Sequence, residues 1–380
     1  MMKVGFGVTV LTRCLALGGI DGIGSYTREL MKRLEADPAV ELFPISYGYS
    51  PSQFPIGSRA PTTFGRYAPL AAVSAVSGFP FLGTAQLKER VDLIHAPDHL
   101  IPNYGKVPVI ASIMDAIPLS HPEWVSPKLR KMKNALWKRS AHWASHIITI
   151  SEYSKQEISQ HFGIEAQKIS AIPLGVDERW FQPLEEEAMK VVLRRYNLPQ
   201  YYFLVVGTLQ PRKNVGRVIE AYRSLPQGIR NEVPLVIVGR AGWRCEDVVE
   251  MLTSSSSGNS LRWLKHLPDA DLLAVLKGAT ALVFPSLYEG FGLPVVEAFA
   301  AGTPVITSNT TSLPEVAGDA AMLVNPLNVS DIAAAMQSML EQPELAESFR
   351  NKGQERALAY SWDKTASMTL DVYKKTREAA

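Results

Sequence analysis

The stretch Ala281-Leu-Val-Phe-Pro-Ser-Leu-Tyr-Glu-Gly-Phe-Gly-Leu-Pro-Val-Val-Glu297 decides the fold of this chain. Its first four residues form a short apolar run, as in a strand buried on both faces. Pro294 suits the first turn of a helix, where its missing N–H would have no partner in any case. Between run and helix, Gly290 and Gly292 let the backbone approach a ligand closely. The free N–H groups at the helix start make a natural anion cradle. Strand, glycine loop and helix in that order are half of a parallel α/β unit. Glu289 and Glu297 bracket the loop with seven residues between them. Both can face one pocket, where carboxylates accept hydrogen bonds from paired hydroxyls, as on a hexose and a ribose.

Upstream, Gly207-Thr-Leu-Gln-Pro-Arg-Lys-Asn214 again follows an apolar run directly. Arg212 and Lys213 open the next helix, so two cations and a helix N-terminus converge where a diphosphate could sit. The same alternation extends through the chain. Strands are expected at 202–206, 235–238, 261–264, 281–284, 304–307 and 321–324, and helices at 214–224, 269–277, 294–301 and 330–341. The first half repeats it, with strands at 4–11, 40–46, 92–96, 107–114, 146–150 and 169–172, and helices at 23–35, 127–145 and 154–162. A chain of 380 residues, 46% hydrophobic and 20% charged, therefore reads as a soluble α/β protein of two Rossmann-like, parallel-sheet domains meeting at a cleft. The boundary is expected near residue 178. The last segment, 361–380, is a charged amphipathic helix with Trp362, Met368, Leu370 and Tyr373 as its apolar positions.

A formal net charge of +2 gives no reason to expect nucleic acid as a partner. Two cysteines, Cys14 and Cys245, make neither a disulfide framework nor a metal-ligand spacing. Together with an N-terminus that reads as a strand and not a signal peptide, they suggest a cytoplasmic protein. Residues 67–87 carry no charge; prolines and glycines interrupt them, and a buried helix and loop is expected there. Between Glu123 and Glu152 no acid occurs, while lysines, arginines and tryptophans crowd the helix at 127–145. Such a helix could rest on an anionic membrane surface. A Ser254–Ser257 run closing on Gly258 reads as a surface loop. Asp269-Ala-Asp271 follows Pro268 and reads as helix capping; no metal is expected. Gly18-Gly-Ile-Asp-Gly-Ile-Gly24 forms a further glycine loop before a helix, and Gly19 and Gly24 could pack against a donor phosphate. His95, Asp98 and His99 follow a strand end and are candidates for contact with an acceptor.

The segments at 202–213 and 282–297, with Gly302-Thr-Pro-Val-Ile306, Leu313-Pro-Glu-Val316, Ile150-Ser-Glu-Tyr-Ser154 and Pro173-Leu-Gly-Val-Asp177, resemble glycosyltransferase family 4. The resemblance covers nearly the whole chain and implies the GT-B architecture. Residues 1–178 would form an acceptor domain and 179–360 a donor domain, with the helix at 361–380 crossing back to the first. It also implies a retaining transferase that takes a sugar nucleotide and uses no metal or other cofactor. Glu289 would contact the transferred sugar and Glu297 the ribose, and Phe291, Gly292 and Leu293 would offer backbone N–H groups. Arg212 and Lys213 would neutralise the leaving diphosphate, as an oxocarbenium-like step requires. Asp269 would lie beside the base, where a carboxylate can accept from guanine.

Two positions depart from that family's pattern. Thr208 stands where many relatives have arginine, a role Arg212 could cover. Met114-Asp115 stands where many have His-Asp, and Asp115 or His95 could serve instead. Within this group the 207–214 segment is most similar to mannosyltransferases. The expectation is transfer of mannose from GDP-mannose to a glycan or lipid-linked acceptor during surface polysaccharide synthesis, at the inner face of a membrane. A UDP-, dTDP- or other GDP-sugar is the alternative donor. An epimerase would need an acid–base cluster that the sequence does not supply, and a decayed sugar-nucleotide binder would fit the two departures.

Overall fold

The computed structural model describes residues 1–17, 20–48, 59–81, 87, 89–254 and 260–379. Gly18 and Gly19 of the first glycine loop, and residues 255–258 of the serine run, lie outside the described residues. The chain divides into two compact units: Met1–Gly175 with Trp362–Ala380, and Val176–Ser361. The division falls at Gly175, whose absent Cβ leaves room for the Trp362 backbone; a Cβ there would lie 2.2 Å from the Trp362 nitrogen.

The first unit holds seven parallel strands: β1 (Met2–Gly7), β2 (Val40–Tyr47), β3 (Thr62–Phe64), β4 (Leu93–Ala96), β5 (Val109–Ser112), β6 (His146–Thr149) and β7 (Ile169–Ala171). Their order is β3-β2-β1-β4-β5-β6-β7. The second unit holds six: β8 (Phe203–Val206), β9 (Leu235–Val238), β10 (Leu261–Leu264), β11 (Ala281–Phe284), β12 (Val305–Ser308) and β13 (Met322–Val324). Their order, β10-β9-β8-β11-β12-β13, repeats the first six strands of the other sheet. Short Val, Ile and Leu runs give these strands because both faces are covered by helices. Each unit has its own apolar core, one including Ile45, Ile94, Val109 and Ile147, the other Phe203, Val236's neighbours Leu235 and Ile237, and Val283. The strand order reverses between β1 and β4 and between β8 and β11. At such switch points the carboxyl-end loops part and leave a crevice.

The structure corrects several expectations. The first strand stops at Gly7 and does not run to Leu11; Thr9–Ala16 is a helix. Its β-branched start is held by a distant cap, for the Val10 N–H donates to Asp98 Oδ2 (3.0 Å). Residues 67–77 are a helix as expected, but not a buried one. Only Ala71 and Ser74 are enclosed, while Val73, Val76 and Phe79 beyond its end stand exposed. Helices Glu246–Ser254 and Pro343–Ala357 were not evident in the sequence; the latter buries only Gly353 and Ala357, too little apolar patterning to see. In the C-terminal helix Trp362–Glu378 the enclosed face is Trp362, Thr365, Ala366, Thr369, Val372 and Tyr373. Met368 and Leu370 are only half-buried. Small residues on this face let the helix lie close against Gly22–Ala36.

Candidate functional site

In the second unit, the loops leaving β8 and β11 are locked to each other at the switch point. The Leu287 N–H donates to the Arg212 carbonyl (2.7 Å), and Arg212 Nη1 donates to the Tyr288 carbonyl (3.2 Å). Asn214, in a left-handed conformation at the start of helix Val215–Ser224, donates through Nδ2 to the carbonyls of Pro285 (2.9 Å) and Pro326 (2.7 Å). At the centre, buried Glu289 receives Arg212 Nη1 on one carboxylate oxygen (2.8 Å) and Lys213 Nζ on the other (2.7 Å). Burial pushes the Glu289 carboxyl up, but Lys213 and Arg212 outweigh it and hold it below the usual carboxylate range. Burial and Arg212 lower the Lys213 pKa, and Glu289 opposes them. The cluster is thus a buried anion between two cations, with one positive charge in excess. Lys213 also lies 4.5 Å above the Phe284 ring, and Gly207, at φ +138°, leaves it room.

The glycine loop is held from behind. Ser312 Oγ donates toward the carbonyls of Glu289 (2.8 Å) and Phe291 (2.9 Å). Gly292 adopts φ +113°, and a Cβ there would lie 2.7 Å from Leu313 Cδ2, so only glycine fits. Helix Leu293–Ala301 starts directly after it with Pro294 in its first turn. Among the described residues the N–H groups of Phe291, Gly292 and Leu293 donate to no backbone carbonyl, which leaves an anion-binding helix start. Thr208 is exposed on the facing loop.

One turn into that helix, half-buried Glu297 meets the 3-10 turn Glu178–Phe181. Burial raises its carboxyl to about 7; Arg179 opposes this, while Asp177 and Asp269 add to it. Arg179 Nη1 donates to Asp269 Oδ2 (2.6 Å). The Trp180 indole N–H is buried with no hydrogen-bond partner in normal geometry. Arg179 and Trp180 were missed in the sequence, which shows them as part of a linker. The capping expected of Asp269-Ala-Asp271 is not what the side chains do. Helix Asp269–Lys277 has Pro268 at its cap, with no side-chain cap bond. Asp271 instead accepts from Arg195 Nη1 (2.9 Å) and Tyr196 Oη (2.6 Å).

In the first unit the expected residues separate. His95 is fully enclosed (0% exposed). Its Nδ1 lies 2.6 Å from Tyr373 Oη and its Nε2 2.9 Å from Ser112 Oγ, and burial lowers its pKa to about 3. It is a neutral tie between sheet and C-terminal helix, so neither acceptor contact nor a stand-in for a missing imidazole is open to it. Asp98 is buried as the cap of helix Thr9–Ala16 and likewise faces no ligand. Gly24 spends its N–H on Asp21 Oδ1 (2.8 Å) and packs against Cys14, which removes it as a phosphate donor. Asp115 and His99 remain. With Met114, Ser112, Pro118 and Trp137 they line a cavity of about 260 Å³ at the carboxyl end of β5. Asp115 Oδ1 accepts the Ile117 N–H (3.0 Å). His99 is exposed on one side; the wall around it and Arg13 lower its pKa, with Asp21 opposing.

The second unit therefore offers, within itself, two cations and a helix start for a diphosphate, and two carboxylates of opposite titration for hydroxyls. No cluster of three or more His, Cys, Asp or Glu able to hold a metal occurs among the described residues.

Comparison with known proteins agrees in both halves. Residues 194–356 match the family described as "Glycosyl transferases group 1", and residues 20–180 match "Glycosyltransferase Family 4". The chain is 31% identical over 369 residues to the O-antigen chain mannosyltransferase B of Escherichia coli, covering 93% of this chain and 96% of that one. Among solved structures, the fold is similar to sucrose-phosphate synthase from Thermosynechococcus elongatus (TM-score 0.77, 19% identity, all of both chains). It is also similar to Anabaena Alr3699/HepE in complex with UDP and glucose (TM-score 0.74, 17% identity, 98% of this chain and 100% of that one).

Proposed function

This chain belongs to the group 1 and family 4 glycosyltransferases, and from that premise we propose that it is a retaining mannosyltransferase using GDP-mannose. The acceptor in this reading is a glycan or lipid-linked glycan of a surface polysaccharide. One observation carries the reading: Glu289 is buried between Arg212 and Lys213 beside the open helix start at Gly292. A leaving diphosphate gathers negative charge as the bond to the sugar breaks. Arg212, Lys213 and the helix N-terminus stabilise that charge without reorganising. Glu289, kept ionised by the same cations, accepts hydrogen bonds from the transferred sugar and favours positive charge developing on its ring. Glu297 accepts from the ribose hydroxyls, and Asp269, oriented by Arg179, accepts from the guanine edge. In the first unit, Asp115 is the side chain assigned the role of the absent imidazole in this reading. The similarity to an O-antigen mannosyltransferase supports the choice of mannose. No metal enters this scheme.

The enzyme in this reading works peripherally at the inner face of a membrane. No helix among the described residues is long and apolar enough to cross one. Support comes from the exposed side of helix Arg130–Ala141, with Lys131, Met132, Lys138 and Arg139, and from exposed Val73 and Val76 on the adjacent helix Tyr67–Ser77.

The test is thermal stabilisation by a panel of nucleotides and sugar nucleotides, followed by turnover of Glu289→Ala. Saturation at about 100 times the dissociation constant adds roughly 2.7 kcal/mol of stability. GDP and GDP-mannose are expected to stabilise selectively. Preference for UDP or dTDP compounds overturns the donor, and stabilisation by none of them favours a decayed binder. Glu289→Ala is expected to cut turnover on the order of 100-fold or more while GDP still binds; undiminished turnover refutes the assignment of Glu289.

A further inference from the structure

We propose that Trp180 is a positioning residue for Glu297: with a nucleoside diphosphate bound, its indole N–H donates to one oxygen of the Glu297 carboxylate and so aims that carboxylate at the two ribose hydroxyls. The proposal rests on the transferase reading above, which gives Glu297 the ribose and leaves open what holds its side chain.

Trp180 is fixed before its side chain is considered. In the 3-10 turn Glu178–Phe181, Asp177 Oδ1 accepts the Arg179 backbone N–H (3.0 Å), and the Asp177 carbonyl accepts the Trp180 backbone N–H (3.1 Å). The turn packs on helix Leu293–Ala301, which carries Glu297. Trp180 itself is 2% exposed.

Two neighbours on this turn each keep a buried N–H without a partner in normal geometry, Arg179 Nε and Trp180 Nε1. Buried donors are nearly always satisfied, because an unpaired one forfeits its bond to water. Arg179 already has acids to serve. Its Nη1 donates to Asp269 Oδ2 (2.6 Å), and its Nε lies 3.9 Å from Asp177 Oδ2. The indole has no such outlet. The acid it reaches toward is Glu297: burial raises that carboxyl, and the Trp180 indole works against the rise. A side chain serving only as an apolar wall needs no N–H, and phenylalanine would fill the place without that cost.

The chemistry of the carboxylate makes use of such a donor. A carboxylate offers about four acceptor sites. A pair of ribose hydroxyls uses two of them on the nucleotide side, and the indole takes one on the side of the turn. The last torsion of a glutamate is broad when nothing holds it. One fixed donor behind the carboxylate narrows it, so less freedom is lost when the ribose binds.

Calorimetry with GDP and with 2′,3′-dideoxy-GDP, which lacks both ribose hydroxyls, tests the proposal on the full chain, on Trp180→Phe, on Glu297→Gln and on the double variant. Trp180→Phe is expected to bind GDP roughly ten-fold more weakly and the dideoxy compound unchanged. Glu297→Gln should lose at least as much for GDP, and the double variant no more than Glu297→Gln, because Trp180 acts through that carboxylate. Equal GDP affinity of Trp180→Phe and the unaltered chain overturns the proposal and leaves the donor reading standing. Equal losses for GDP and the dideoxy compound show that Trp180 only supports the fold there, and overturn it too. If Trp180→Phe does not fold, the indole N–H resonances of the remaining proteins decide. One of them is expected to be displaced by Glu297→Gln and, in the unaltered chain, to move downfield on saturation with GDP. No displaced resonance, or one that GDP leaves in place, overturns the proposal. Binding of neither nucleotide by the unaltered chain overturns the donor reading, and the ribose role of Trp180 with it.

Discussion

Glu289 and Glu297 belong to one motif, yet their surroundings drive them apart. Glu289 has two cations on it and stays ionised. Glu297 has burial and two neighbouring aspartates against Arg179 and the Trp180 indole, and its carboxyl rises from 4.5 to about 7. A carboxyl raised in the folded state makes a favourable contribution that is complete below its unfolded value and is lost as pH rises through the folded one. Glu297→Gln is therefore expected to match the unaltered chain in stability near pH 4 and to exceed it above about pH 7, read by denaturant unfolding across that range. In the proposed function only the ionised carboxylate accepts from both ribose hydroxyls. GDP affinity should then rise through pH 7 in the unaltered chain and stay flat in Glu297→Gln; a flat profile in both would place the ribose elsewhere. His95 makes the opposite point. Its residue type suggests chemistry, but with both ring nitrogens engaged and its charged form excluded by burial it has none to offer.

Among the elements, helix Arg130–Ala141 divides its residues between the core and the surface. Its inward residues Leu136 and Trp137 pack on the core of the first unit, with the Trp137 ring 4.8 Å from that of Phe162. Its outward cations have no core to serve. Charge reversal of Lys131 and Lys138 to glutamate should abolish sedimentation with vesicles of anionic lipid, and neutral vesicles should bind neither protein. Equal binding of variant and unaltered chain to anionic vesicles would remove this helix from any membrane role. The helix Thr9–Ala16 shows how an element escapes sequence reading altogether. Val8-Thr-Val-Leu11 has the residues of a strand, and it becomes helical because a carboxylate from residue 98 satisfies the Val10 N–H. A cap that distant in sequence leaves no local signature.

At the scale of the molecule, the chain leaves the first unit after Gly175 and returns to it at Trp362. The returning helix Trp362–Glu378 packs on helix Gly22–Ala36 and on β6, and Tyr373 reaches His95 in β4. Thr365 Oγ1 donates to the Pro173 carbonyl (2.8 Å), and Arg33 pairs with Asp363 (2.7 Å). Removal of residues 362–380 would uncover Tyr26 and the buried His95–Ser112 network. Hydrogen exchange is expected to accelerate in β4, β5 and β6 and to remain slow in β8 and β11. Acceleration in both sheets alike would mean that the helix supports more than the first unit.

The sequence by itself determined the two parallel α/β units, the loops after β8 and β11, and the presence of Arg212, Lys213, Glu289 and Glu297 in one half of the chain; that Arg212 and Lys213 close on Glu289 was left to the structure. Those features are local: a buried strand, a glycine turn and a proline-started helix are each written within some fifteen residues, and loops on neighbouring switch-point strands must meet. Only the tertiary structure decided what Gly24, His95, Asp98, Asp269 and Asp271 do, and that Arg179 and Trp180 stand beside Glu297. Each of those roles depends on a partner from another part of the chain. A polar side chain expresses its chemistry only through what the packing leaves beside it: His95 met Tyr373 and Ser112, while Glu297 met a buried wall and two carboxylates.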